Sequence, residues 1–95
     1  MRFTVGFSPQ AGRDLEDIVF FITAQEKDSQ PAERFVSSLL EEARKLSELP
    51  HRGKAFQRRP NVRRLAYGNY LIVYEISEAD RRVEVLRFIH GARIR

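Results

Sequence analysis

Apolar and polar positions along the chain change period twice, from alternation to helical spacing and back. Phe3, Val5 and Phe7 alternate with Arg2, Thr4 and Gly6, the pattern of a short strand buried on one face. Ser8-Pro9 ends it: the serine hydroxyl can cap a helix, and proline, with no amide hydrogen to leave unpaired, suits the first helical position. Beyond this point Ala11, Leu15, Ile18, Val19 and Ile22 make one stripe, with Asp14, Asp17 and Gln25 elsewhere, which predicts a helix over residues 9–26. Asp14, Glu16 and Asp17 come early in it, where carboxylates suit the positive end of the helix dipole. Lys27 to Gln30 is polar, and Pro31 opens a second helix with Phe35, Leu39, Ala43 and Leu46 at helical spacing and Val36 and Leu40 widening the stripe. Two helices joined by so short a loop form an antiparallel hairpin with a shared apolar face. Leu49-Pro50 and Gly53 close the second helix and begin a loop.

From Val62 the pattern returns to strands. Gly68-Asn69 lies between Arg63-Arg64-Leu65-Ala66 and the run Tyr70 to Ile76, a hairpin-turn signal in which glycine supplies the positive φ. Glu78-Ala79-Asp80 is a second turn, leading to a strand from Val83 to Ile89. Residues 70–76 are nearly all apolar, which places that strand centrally. There is no repeat, low-complexity stretch or linker, so the expectation is one domain over residues 1–95. Its fold class is α+β: an antiparallel sheet with a helical hairpin packed on one face, in the order β-α-α-β-β-β. A single hairpin covers one face only, and the apolar strand surface left on the other is a natural binding groove.

Composition adds compartment and charge. Of 95 residues 42% are hydrophobic and 32% charged, which fits a folded soluble domain. The absence of cysteine excludes a disulfide framework and a thiolate zinc site, and His51 and His90 alone are a poor metal set, so no metal and no cofactor are expected. No apolar run reaches the length of a membrane span and Met1 to Val5 shows no signal-peptide core, so a cytoplasmic protein without a membrane partner is expected. Charge is divided unevenly: residues 1–50 carry 6 basic and 9 acidic side chains, residues 51–95 carry 11 and 4. Between Leu49 and Tyr74 stand Arg52, Lys54, Arg58, Arg59, Arg63 and Arg64 without one carboxylate, a local positive field that attracts phosphates or an acidic protein. Arg87 alternates with Val85 and Ile89 on an apolar strand face, which is costly unless its charge is paired or at an edge. Glu75 is read as a salt-bridge partner for Arg64 or Arg87. Tyr70 and Tyr74 share the parity of Ile72 and Ile76 and are read as packing residues. His90 is open to two readings, a general base or a strand-end histidine held by a hydrogen bond.

Ser8-Pro9 before an apolar helix, Leu49-Pro50 with Gly53 after the second, Val62-Arg63-Arg64-Leu65, Tyr70 to Glu75, and the ending His90-Gly91-Ala92-Arg93 together resemble the ParE/RelE toxins over essentially the whole chain. The resemblance implies a bacterial, plasmid-stabilising type of toxin held in a hetero-oligomer by a cognate antitoxin. RelE-like members are ribosome-dependent endoribonucleases that cut messenger RNA, with cationic groups stabilising the phosphate and a base removing the 2′-hydroxyl proton. On that reading Arg64, His90 and Arg93 are the catalytic candidates. Leu71, however, stands where RelE has an arginine, and the sequence ends at Arg95, before the position of RelE's catalytic tyrosine. The ParE-like branch is the better match, and it implies inhibition of DNA gyrase by binding, without chemistry by the toxin. Arg58, Arg59, Arg63, Arg64, Arg87 and Arg93 would then recognise gyrase, its DNA or the antitoxin through charge-assisted hydrogen bonds.

Overall fold

In a computed structural model, residues 2–27 and 30–91 are described. Strand β1 (Thr4–Phe7) leads into helix α1 (Pro9–Glu26) at a built cap: the Ser8 hydroxyl accepts the Ala11 N–H at 3.0 Å, and Pro9 stands at the helix start. Lys27, in the left-handed region with φ 56°, ends α1 and returns its N–H to the Thr23 carbonyl. Helix α2 (Gln30–Arg44) buries Ala32, Leu39 and Ala43 and runs into two short 3₁₀ turns, Lys45–Ser47 and Pro50–Arg52. Strands β2 (Lys54–Ala55), β3 (Val62–Tyr67), β4 (Tyr70–Ser77) and β5 (Arg82–His90) follow. The hairpin turn between β3 and β4 has Gly68 at φ +56°, the conformation its sequence signal called for.

The five strands form one sheet in the order β1-β5-β4-β3-β2, so β4 is central as its apolar sequence requires. The α+β class and the succession of a strand, two helices and three principal strands agree with expectation. Two features of the sheet differ. β1 lies parallel to β5, whereas β2 to β5 pair antiparallel, so the sheet is mixed. Alternation marks Phe3 to Phe7 as a strand but carries no information on its neighbour or direction; those follow from the two-helix crossover between β1 and the rest of the sheet. The extra strand β2 is two residues long, too short to show a period.

Tyr70, Ile72, Tyr74 and Ile76 face the helices from β4, and Val83, Val85 and Phe88 do so from β5, meeting Ala11, Ile18, Leu39, Ala43 and Leu46 in one core. Tyr74 is its largest fully buried side chain, and its hydroxyl is the hub of the turn before β2. The Tyr74 Oη donates to the Pro50 carbonyl at 2.7 Å and accepts the Gly53 N–H at 3.0 Å. Gly53 must be glycine for this: a Cβ there would lie 2.5 Å from Tyr74 Oη and 2.8 Å from the Arg64 carbonyl oxygen. Arg63, on the same side of the sheet as Tyr74, completes the fastening by donating from Nη1 to the carbonyls of Gly53 (2.6 Å) and His51 (3.1 Å).

The ladder between β4 and β5 is irregular. Val73 pairs with Arg87 and Tyr74 with Val85, so Leu86 is an extra residue, a β-bulge. It reverses the side-chain parity of β5, which corrects the face expected for Arg87. Val85 is fully buried against the helices, while Arg87 is turned to the opposite face.

Candidate anion-binding groove

The face of the sheet away from the helices carries the side chains whose parity is opposite to Tyr74: Val62, Arg64 and Ala66 on β3, Leu71, Val73 and Glu75 on β4. The chain between β2 and β3 folds back over part of this face, fixed by Phe56 N–H to the Val62 carbonyl (2.9 Å) and Val62 N–H to the Arg59 carbonyl (2.9 Å). Between that loop and the sheet is an open groove of about 920 Å³. Its apolar floor includes Phe56, Val62, Val73 and Leu86, and its cations are Lys54, Arg58, Arg59, Arg64 and Arg87.

Strand register explains how residues far apart in sequence become one charged row. Lys54 pairs with Arg64, Arg64 with Val73, and Val73 with Arg87, so three cations lie on one line across four strands. Like charges directly opposite one another across strands oppose folding, and Lys54 and Arg64 are such a pair. Among the described residues Lys54, Arg58 and Arg64 have no carboxylate partner; Arg64 instead lies over the Phe56 ring, 5.1 Å from its centroid. Arg59 pairs with Glu75 at 3.5 Å, so Glu75 serves neither Arg64 nor Arg87, the partners expected for it. Five cations against the two carboxylates Glu75 and Asp14 leave the groove strongly positive.

Arg87 is paired, as its place on an apolar strand required. Its Nε donates to Asp14 Oδ2 at 2.8 Å and its Nη2 to Oδ1 at 3.3 Å. Asp14 was expected off the apolar stripe, serving the helix dipole; it is instead buried, because it stands three residues after Ala11 and four before Ile18 on the covered side of α1. There it also accepts the Phe88 N–H at 2.9 Å and an amide hydrogen of Gln10 at 2.9 Å. Burial by itself raises the Asp14 carboxyl pKa, but the hydrogen bonds from Arg87, Gln10 and Phe88 together outweigh it and hold the group below the usual carboxylate range. Since the folded value is depressed, this contribution to stability is complete above the ordinary carboxylate pKa and is lost as pH falls through the folded one. Thermal melts should therefore show stability declining below about pH 4, and the acid limb should flatten in Asp14→Asn.

The structure divides the sequence-derived candidates. Arg58, Arg59, Arg64 and Arg87 meet at the groove, while Arg63 points to the other side and holds the 50–53 turn. His90 is also on the helix side, edge-on to Tyr70 with centroids 5.2 Å apart. It lines a separate cavity of about 200 Å³ with Asp14, Asp17, Ile18, Phe21, Tyr70 and Phe88. The bulge that sends Arg87 one way sends His90 the other, so Arg64 and His90 do not share a site. Arg93 lies outside the described residues. Phe56 and Lys54 join the groove without having been candidates; Lys54 was visible only as part of the carboxylate-free stretch. Among the described residues no group of three or more His, Cys, Asp or Glu side chains is placed to hold a metal ion, and no helix is long and apolar enough to cross a membrane.

A helical hairpin on one face of a five-stranded mixed sheet is the architecture of the RelE/ParE-like toxins. The RelBE2 toxin–antitoxin complex of Mycobacterium tuberculosis contains a chain 28% identical to this one, with a TM-score of 0.73 over 95% of this chain and 99% of the other. The chromosomal ParDE toxin–antitoxin system of P. aeruginosa gives a TM-score of 0.77 over 94% and 96% of the two chains, and at 16% identity that likeness is one of fold. No curated protein sequence matches. The family model for the ParE toxin of the type II toxin–antitoxin system parDE matches residues 5–95, and the chain belongs to that family.

Proposed function

We propose that this toxin acts by binding DNA gyrase through the basic groove, as the ParE-like resemblance implies, and that a cognate antitoxin neutralises it. The observation that carries this reading is the cationic row Lys54, Arg64 and Arg87 over an apolar floor, a surface suited to recognition of an acidic or phosphate-bearing target. Membership in the ParE family supports the choice of target, and so does Leu71, which places an apolar group on the open face where RelE has an arginine. Purified toxin should block supercoiling by gyrase from the host or trap gyrase-cleaved DNA. Full supercoiling at toxin levels that arrest growth would sink the gyrase assignment.

One observation favours a second reading. The similarity to a chain of a RelBE2 complex covers nearly the whole protein, and a RelE-like endoribonuclease would lay ribosome-bound message in the same groove. The division of Arg64 from His90 weighs against the catalytic set that this reading needs, since His90 would have to act from the other face. Primer extension on ribosome-bound message after induction distinguishes the two readings: cuts at codon positions would support the nuclease.

The antitoxin is assigned to the helical side. Phe20 and Phe21 on α1 are 77% and 53% exposed, an apolar pair that an amphipathic segment can cover. A Phe20→Ser/Phe21→Ser toxin should keep its fold, since neither ring is buried, and should bind the product of the neighbouring antitoxin gene at least tenfold more weakly. Calorimetric titration of the two proteins checks this; unchanged affinity would move the antitoxin elsewhere.

A further inference from the structure

The groove's most deeply anchored cation is Arg87, and the structure assigns its anchor a function: we propose that Asp14, acting with the bulge at Leu86, is the positioning residue that holds Arg87 for a phosphate group bound in the groove. The proposal rests on the groove being the working surface and names how one of its arginines is aimed. β1 ends at Phe7 opposite Val85, so beyond that point β5 keeps β4 on one edge and has no strand on the other. The start of α1 replaces it. Ser8 donates its N–H to the Val85 carbonyl (2.9 Å) and its hydroxyl to the Leu86 carbonyl (2.8 Å), and Asp14 then accepts the Phe88 N–H. The bulged residues are thus fastened before and after Arg87 by the cap and the first two turns of α1.

The carboxylate does more than fill a vacant edge. It takes the Nε and one Nη2 hydrogen of Arg87, which fixes the plane of the guanidinium and leaves three of its five N–H donors for a ligand. Asp14 is nearly inaccessible, with 6% of its side chain exposed, whereas Arg87 is 45% exposed and lines the groove, so a ligand meets the arginine and not the carboxylate. Val73 alone separates Arg87 from Arg64 along the register, and Arg64 lies against the Phe56 ring. Two guanidinium groups beside an aromatic ring suit a phosphodiester backbone with its bases unstacked.

A charge-only view and a positioning view give opposite signs. If Asp14 merely lowers the local positive potential, Asp14→Asn should bind an anion more tightly. If it positions Arg87, the same change should weaken binding although a negative charge has been removed. The probe is a fluorescein-labelled single-stranded 12-mer oligodeoxynucleotide, followed by anisotropy over a salt series with the whole chain. Expected are a loss of about tenfold in affinity for Asp14→Asn, a log–log salt slope smaller by about one, and no additional loss when Arg87→Ala is combined with it. Because removal of a buried carboxylate can impair folding, Arg87→Lys provides an independent arm. Lysine keeps the charge but cannot engage Asp14 and a phosphate in one rigid plane, so it should bind as weakly as Arg87→Ala. Tighter binding by Asp14→Asn, wild-type affinity for Arg87→Lys, or a wild type that binds the oligonucleotide no better than Arg87→Ala would each overturn the proposal. Growth arrest on induction is scored separately: its absence fails the toxin reading, whereas its presence beside a failed oligonucleotide series fails only the role given to Asp14.

Discussion

Tyr74→Ala should lose about 3–5 kcal/mol of stability, much of what a domain of this size possesses. The side chain is fully buried in the centre of β4, and its removal opens a cavity under both helices. It also strips the Pro50 carbonyl and the Gly53 N–H of their partner. Tyr74→Phe separates the two effects. It keeps the ring and leaves two buried backbone groups unsatisfied, for an expected cost of about 1–3 kcal/mol. Urea titration followed by circular dichroism checks both, with equal slopes and different midpoints expected for wild type and Tyr74→Phe. Because the 50–53 turn leads directly into β2, loosening it should disturb Lys54 and the loop over the groove before it disturbs the helices. In Tyr74→Phe, amide exchange should therefore quicken at residues 53–59 more than in α1.

Reversing two cations in the groove should abolish toxicity without harming the fold. Arg58→Glu/Arg64→Glu changes the groove from five cations and two carboxylates to three cations and four carboxylates, and among the described residues neither arginine has a carboxylate partner to lose. Target binding should fall by at least tenfold, since a like-charge contact replaces an attractive one. Cells induced for this variant should keep growing, while the purified protein still binds antitoxin through Phe20 and Phe21. The matched charge-preserving variant, Arg58→Lys/Arg64→Lys, should retain part of the toxicity, because it keeps the field and loses the planar hydrogen-bonding fork.

How far the site could be read in advance is visible at single residues. The helix start at Ser8-Pro9, the turn at Gly68 and the packing role of Tyr74 depend on local chemistry or on a period of two, and each was legible. Arg58, Arg59 and Arg64 were found through charge, which also drew in Arg63; charge does not report which side of a strand a residue faces, and one step along β3 sends Arg63 to the helix side. The bulge at Leu86 is not legible in the sequence, since an inserted residue carries no signature of its own and reverses all parities after it. Asp14 could have been recognised, because its spacing from Ala11 and Ile18 places a carboxylate on a buried stripe, and such a group requires a cation. The cation was Arg87, 73 residues away, and only the sheet brings the two together.

The central claim, that the basic groove is the surface with which this toxin engages gyrase, is tested most directly by one supercoiling assay run on two proteins. Host gyrase and relaxed plasmid are titrated with wild-type toxin and with Arg58→Glu/Arg64→Glu, both confirmed as folded by thermal melting. The expected result is inhibition by the wild type and a requirement for at least ten times more of the variant. Equal inhibition by the two proteins, or none by either while the wild type still arrests growth, would contradict the account.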